Sequence, residues 1–233
     1  MSTYLDYLNQ ISSKKTFSRK IDYIRYNFSS YILSKKKSDK FLEVGPGLGH
    51  SIKFFNSKGF KIIDIIDNDD SILNYISNKF EINNIYKTDD IKEIENQLDH
   101  YDVILATQVL EHVPINQYQY FLKILYKHLN KDGYLIITVP NMANPFTIFE
   151  RYGDITHTNG FTDNSLIELA LMSEIPRSSI KIRAYKIPPY SLLNIIRIFF
   201  QKILHLTLLF LSIINGGGYS KLLTPNITLL IKK

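Results

Sequence analysis

Five stretches of this chain carry residues that could do chemistry, and each lies just beyond an apolar run. The first reads FLEVGPGLGH, Phe41 to His50, with Glu43 followed by Gly45, Gly47 and Gly49 around Pro46. Glycines spaced this way let backbone approach a ligand that a Cβ would repel, and a helix starting straight after them offers free N–H groups. Asp67 follows IIDII, about twenty residues on, where a carboxylate can accept hydrogen bonds from both hydroxyls of a ribose. Asn68, Asp69 and Asp70 compete with it as caps for the next helix. Asp89 and Asp90 follow the third run, one expected beside a nucleobase and the other free to cap. Gln108, Glu111 and His112 follow the fourth, and His157 lies in the later segment RYGDITHTNGF.

Placing these residues together requires strands and helices in alternation. Phe41–Val44, 62–66, Ile85–Lys87, 103–106 and 134–139 read as strands, while His50–Ser57, 70–80 and 115–129 read as helices. Strand and helix alternating with short connections predict a doubly wound, mostly parallel sheet, in which ligands sit at the carboxyl ends of the strands beside the point where strand order reverses. All five stretches fall at such ends.

Two cofactor classes suit a glycine turn with an acid after the second strand. A dinucleotide site wants G-x-G-x-x-G so that a helix N-terminus can meet a pyrophosphate. Here His50 stands where the third glycine would be, and the pattern is instead E-x-G-x-G-x-G. Glu43 would repel a pyrophosphate and welcome a cation. The segments EVGPGLG (Glu43 to Gly49), Asp67, the Asp89-Asp90 pair, YDVILATQVLEHV (Tyr101 to Val113) and LNKDGYLIITVPN (Leu129 to Asn141) together resemble the class I methyltransferases that use S-adenosylmethionine. The resemblance implies a seven-stranded, Rossmann-like sheet. It also implies that Glu43, Gly45 and Gly47 line the methionine end of the cofactor, Asp67 holds the ribose, Asp89 or Asp90 meets the adenine, and Gln108 sits by the cofactor at the substrate mouth. S-adenosylhomocysteine would be the product.

Arg151 to Ala170 is similar to a stretch of methyltransferases from bacterial surface-polysaccharide clusters, with a looser echo in quinone O-methyltransferases. That likeness puts His157 on a substrate-side loop, facing Glu111 and His112, while Thr162 or Asp163 can start the next helix. Methyl transfer from a sulfonium is an in-line displacement that rests largely on orientation, and an alcohol acceptor also benefits from a general base. His112 and His157 are the candidate bases, with Glu111 beside them. Either histidine can instead order its loop, and the three side chains could together hold a divalent ion that orients the acceptor.

Composition narrows the classes further. The 233 residues include no cysteine, which excludes a disulfide framework, a thiolate metal site and a Cys nucleophile. A formal net charge of +6 suits an acidic small molecule, an anionic membrane surface or nucleic acid. Ile187-Pro188-Pro189-Tyr190 contains the tripeptide of base-modifying amino-methyltransferases, but not after the fourth strand, so nucleic acid is not the expected acceptor. Met1 to Gln10 has no apolar h-region, and a cytoplasmic enzyme is expected.

Four regions follow: an N-terminal helical cap over 1–39, a cofactor-binding core over 40–190, an amphipathic helical insertion over 191–218, and a final core strand within 219–233. The cap has an apolar face of Ile21, Ile24, Phe28, Tyr31 and Ile32 among basic residues, so it can pack on the core or close as a lid over the glycine turn. Asn194, Arg197, Gln201, His205 and Ser212 form one polar stripe on the otherwise apolar insertion. It can cover the sheet, seam a homodimer or lie peripherally on a membrane. The sequence therefore points to an O-methyltransferase of a sugar, sugar phosphate or related surface-glycan intermediate. A small-molecule or quinone-type O-methyltransferase and a catalytically silent binding module stand as alternatives.

Overall fold

The computed structural model describes residues 4–216 and 218–233. Part of the predicted break Gly216–Gly218 therefore lies outside the described residues. The helices are α1 (Tyr4–Ile11), α2 (Lys14–Ile32), α3 (His50–Ser57), α4 (Asp70–Lys79), α5 (Tyr118–Lys127), α6 (Ile148–Gly153), α7 (Asp163–Met172) and α8 (Leu192–Ile214). The strands are β1 (Phe41–Val44), β2 (Ile63–Asp67), β3 (Ile85–Lys87), β4 (Tyr101–Thr107), β5 (Leu129–Pro140), β6 (Ile180–Ala184) and β7 (Asn226–Lys232). They form one seven-stranded sheet in the order β3-β2-β1-β4-β5-β7-β6, parallel from β3 to β5, with β7 antiparallel to both neighbours.

Burial on both faces explains the near-continuous apolar strands. In β1, Phe41 joins a core with Ile65, Val103 and Leu105 on one face, while Leu42 and Val44 join Ile66, Ile104 and Ala106 on the other. Ile24, Phe28 and Ile32 of α2 complete the first core, so the N-terminal region packs directly on the sheet. The basic run Lys35–Lys37 is not simply a solvated face. Lys35 donates to the Asp132 carbonyl at 2.7 Å, and the Lys37 ammonium lies 4.2 Å from the Phe60 ring centre.

Several boundaries differ from expectation for local reasons. The helix expected from residue 115 begins at Tyr118, because Pro114 leads first into a short 3-10 turn, Ile115–Gln117. β5 starts at Leu129 rather than 134, absorbing the Asp132-Gly133 turn as an irregularity in which Asp132 adopts a left-handed φ of 62°. β6 ends at Ala184, before the prolines, because its partner β7 begins at Asn226. Pro188 and Tyr190 instead form the joint to α8, where the Pro188 carbonyl accepts from Asn194 Nδ2 at 2.8 Å and Tyr190 packs edge-on to Tyr26.

Candidate active site

β1 has β2 on one side and β4 on the other, so strand order reverses between β1 and β4. The crevice beyond their carboxyl ends is where a doubly wound sheet takes a ligand. Glu43 is the penultimate residue of β1 and is only 2% exposed, and its Oε2 has no hydrogen-bond partner among the described residues. Burial pushes its carboxyl up to about 8, with the Ser51 hydroxyl offsetting only part of that. One oxygen of this buried acid is thus left open to a further donor.

The three glycines of the turn all have positive φ, but they do different things. A Cβ on Gly45 would lie 2.5 Å from Val109 Cγ2, and one on Gly49 would lie 2.4 Å from the Phe80 ring, so these two are required by protein packing. A Cβ on Gly47 would meet nothing within 4 Å. Gly47 therefore faces open space. His50, the first residue of α3, packs its ring 4.3 Å from Phe17 of α2, and burial with the nearby Lys20 and Lys79 holds its pKa down to about 4. The start of α2 thus reaches the glycine turn, as a lid would.

The acids after β2 and β3 divide their work. Asp69 caps α4 through Ser71 N at 2.7 Å, which releases Asp67 from that duty. Burial raises the Asp67 carboxyl above its ordinary value, while Oδ1 accepts from Asp69 N at 3.0 Å. Asp64, the other acid of the run, is structural: Tyr101 Oη donates to it at 2.8 Å and Asn84 N at 3.1 Å. Asp90 caps the next 3-10 helix through Lys92 N and accepts from Tyr120 Oη, whereas Asp89 is exposed and makes no side-chain hydrogen bond or ion pair among the described residues. Asp89 is the member of the pair free of capping duty.

The opposite rim gathers Glu111, His112 and His157. Glu111 and His112 lie in a 3-10 turn, Leu110–His112, just after β4. Thr158 ties the two loops together, donating its N–H to the Glu111 carbonyl at 2.8 Å, and Arg151 donates to the carbonyls of His157 and Thr158 at 2.7 and 3.2 Å. The imidazole centres of His112 and His157 come to 4.7 Å, edge to face. One ligand atom from each of Glu111, His112 and His157 lies within 4.8 Å of the others. Glu111 is 1% exposed, both of its carboxylate oxygens lack a partner among the described residues, and burial, with repulsion from Glu150 and Asp154, pushes it up to about 8.

A hydrogen-bond chain fixes the state of His112. Thr156 Oγ1 donates to Asp154 Oδ1 at 2.6 Å, so its lone pairs must accept from His112 Nδ1, 2.8 Å away. That places the proton on Nδ1 and leaves Nε2 as a lone pair. Burial and the neighbouring His157 lower the His112 pKa, which keeps the ring neutral near pH 7. Gln108, on the same rim, adopts a left-handed φ of 58° and donates Nε2 to Asn226 Oδ1 at 3.1 Å, so it bridges β4 to β7.

Sequence reasoning missed Arg151, Asp154 and Thr156. All three lie in the segment RYGDITHT that drew attention to His157. Their spacing fits no helix or strand period, and only an Asp-x-Thr turn, in which Asp154 Oδ1 accepts from Thr156 N at 2.9 Å, could have flagged them.

Residues 14–171 match the family model described as "Methyltransferase domain". None of the curated proteins matches the chain. Among solved structures, a SAM dependent methyltransferase from Archaeoglobus fulgidus superposes with a TM-score of 0.66 at 18% identity, covering 94% of this chain and 97% of that one. A possible histamine N-methyltransferase from Thermotoga maritima gives 0.59 at 15% identity, covering 99% and 97%. The plantazolicin methyltransferase BpumL in complex with SAH gives 0.59 at 18%, covering 98% and 88%. At these identities the likeness carries the fold.

Proposed function

The chain belongs to the methyltransferase-domain family as an S-adenosylmethionine-dependent enzyme, and from that premise we propose that it is an O-methyltransferase of a sugar, sugar phosphate or related glycan-building intermediate. The observation that carries this reading is the His112 imidazole held through Nδ1 by the Thr156–Asp154 chain, on the turn after β4 whose Val109 lies against Gly45. Amines are already nucleophilic when unprotonated, whereas an alcohol needs its proton taken as it attacks.

The cofactor supplies an electrophilic methyl group when bound. Glu43 would take its ammonium, Gly47 would let it approach, Asp67 would accept the ribose hydroxyls and Asp89 would meet the adenine. Each of these residues has a geometry that fits such a ligand: an unsatisfied buried acid, a cradle open where a Cβ would stand, and acids free of capping duty. On the acceptor side, His112 Nε2 would take the proton of a hydroxyl whose oxygen receives the methyl group that the cofactor would supply, its sulfonium becoming the neutral thioether. The products are a methyl ether, S-adenosylhomocysteine and a protonated His112, which returns its proton to water. Arg151 and Thr158 hold the His157 loop against the turn carrying His112, so that His157 can orient the acceptor.

A second reading of the rim is favoured by one observation. Glu111 is buried with neither oxygen satisfied, and it points into the same space as two imidazoles. A divalent cation there would satisfy Glu111 and hold an acceptor hydroxyl through Glu111, His112 and His157. The cytoplasmic face of a membrane, where glycan precursors are assembled, is the setting we favour for the enzyme.

The test is a screen of nucleotide sugars, sugar phosphates, lipid-linked glycans and quinols with isotopically labelled methyl donor, run with and without a chelator. Label in a glycan hydroxyl supports the proposal. Label only in quinols, or in none of the acceptors while the cofactor still binds, would overturn the acceptor class. Loss of transfer in chelator, restored by added divalent metal, would establish the cation reading.

A further inference from the structure

Helix α8 is inverted relative to a helix of an ordinary soluble surface. The polar stripe read from the sequence is the less exposed side: Asn194 is buried and bonded to the Pro188 carbonyl, Gln201, His205 and Ser212 are half-buried, and Arg197, exposed at the edge of the stripe, donates Nη1 to Asn194 Oδ1 at 3.5 Å. The opposite side carries Phe199, Phe200, Ile203, Leu206, Phe210 and Ile213, all exposed. The expectation that this helix covers the sheet is therefore not met, because its apolar side is exposed.

The width and charge of the exposed side say what covers it. At 3.6 residues per turn the apolar side runs from Lys202 on one edge to Arg197 on the other, an arc of about 220°. A helix docked on a single partner surface needs a stripe of roughly 100°, so a second copy of this chain would leave about half of the arc in water. A fluid apolar phase would cover all of it. Arg197 and Lys202 are exposed at the two edges, where their stems can lie along apolar surface and their charges reach a headgroup layer. Leu192–Ile214 contains no Asp or Glu, and the whole chain carries a formal charge of +6.

The helix is long and apolar enough to cross a bilayer, but topology sets it in the plane instead. It connects β6 to β7, and Ala184 at the end of one strand pairs with Ile227 at the start of the other. Both ends of α8 must therefore return to the same corner of the sheet. A crossing helix would force residues 216–225, which carry no helix or strand among the described residues, back through hydrocarbon with unpaired backbone. The returning segment is stapled to the start of the substrate-side region, since Asn141 Nδ2 donates to the Leu222 and Thr224 carbonyls and Asn144 Nδ2 to that of Leu223. That region displays a second exposed apolar group, with Phe149 80% and Ile155 99% exposed, just before His157.

We infer that α8 lies in the headgroup and acyl boundary of an anionic lipid bilayer, with Asn194, Gln201, His205 and Ser212 turned away from the lipid and Arg197 and Lys202, at the two edges of that stripe, reaching the headgroups. Flotation of the full chain with vesicles tests this. One set would be equal parts phosphatidylglycerol and phosphatidylcholine, and the other phosphatidylcholine alone. The chain should float with the anionic vesicles. The triple variant Phe199→Ser, Phe200→Ser, Phe210→Ser should stay at the bottom while melting as the native chain does, because all three side chains point away from the core. Replacing Arg197 and Lys202 together by Gln should lower partitioning onto anionic vesicles about 30-fold, from the usual attraction per basic residue near such a surface. A native chain that stays at the bottom with anionic vesicles, a triple variant that floats equally well, or a dimer in sedimentation that the triple variant dissociates would each overturn the inference, the last in favour of a second copy.

Discussion

Replacing Glu43 by Gln probes the cofactor cradle from both sides. In the free enzyme the carboxyl titrates at about 8, against an ordinary value of 4.5, because burial penalises its charge. Its folded pKa lies above its unfolded one, so the stability it permits is fully present below pH 4.5 and is lost as pH rises toward 8. At about 1.4 kcal/mol per pH unit the loss totals about 5 kcal/mol. Glutamine has nearly the same shape and no proton to lose. Without cofactor, the variant should therefore match the native chain near pH 4.5 and exceed it increasingly up to pH 8, by about 10 °C or more in melting temperature for a chain of this size. With cofactor the order reverses in affinity. An ionised Glu43 paired with the ammonium is a charge-assisted bond of about 1.5–3 kcal/mol, so the variant should bind S-adenosylmethionine about 10- to 100-fold more weakly. Thermal melts from pH 4.5 to 9 and calorimetry read the two effects. Parallel melting curves across that range, or equal dissociation constants, would refute the reasoning.

Three further outcomes follow from the same geometry. Gly45→Ala, whose Cβ would lie 2.5 Å from Val109, should lower the melting temperature by about 2–12 °C, an overpacking cost of about 1–3 kcal/mol; Gly47→Ala should cost about 1 kcal/mol of backbone strain yet weaken cofactor binding at least about tenfold, and calorimetry on both variants separates the two roles. His112→Asn should lower kcat about 100-fold with cofactor affinity unchanged. The native rate should rise with pH through a midpoint below the usual histidine range, because burial and His157 lower the His112 pKa, and that limb should vanish in the variant. Arg151→Met removes the bonds to the His157 and Thr158 carbonyls, so it should raise the acceptor KM with little change in cofactor binding, as initial-rate kinetics would show.

The glycine turn and the strands that flank it are legible in the sequence because their parts are local. A glycine turn, an acid at the end of a strand and an apolar run twenty residues later each obey a short-range rule, and β1 with its turn lies where FLEVGPGLGH put it. What the residues could not disclose is which of several equivalent acids is free. Asp69 and Asp90 proved to be caps, leaving Asp67 and Asp89, and only the hydrogen-bond directions distinguish them. The His112 chain through Thr156 to Asp154 joins loops over forty residues apart, so no spacing rule could reach it. The orientation of α8 was also hidden, since the stripe of Asn194, Gln201 and His205 marks a distinct face without saying whether that face meets water or protein.

The roles proposed for these residues turn on where the cofactor lies. A crystal structure of the chain with S-adenosylhomocysteine should show the amino acid end over Gly47 with its ammonium toward Glu43, the ribose hydroxyls on Asp67, and the sulfur open toward the rim of His112 and His157. Cofactor bound away from Glu43 and Asp67, or a sulfur turned away from both histidines, would contradict it.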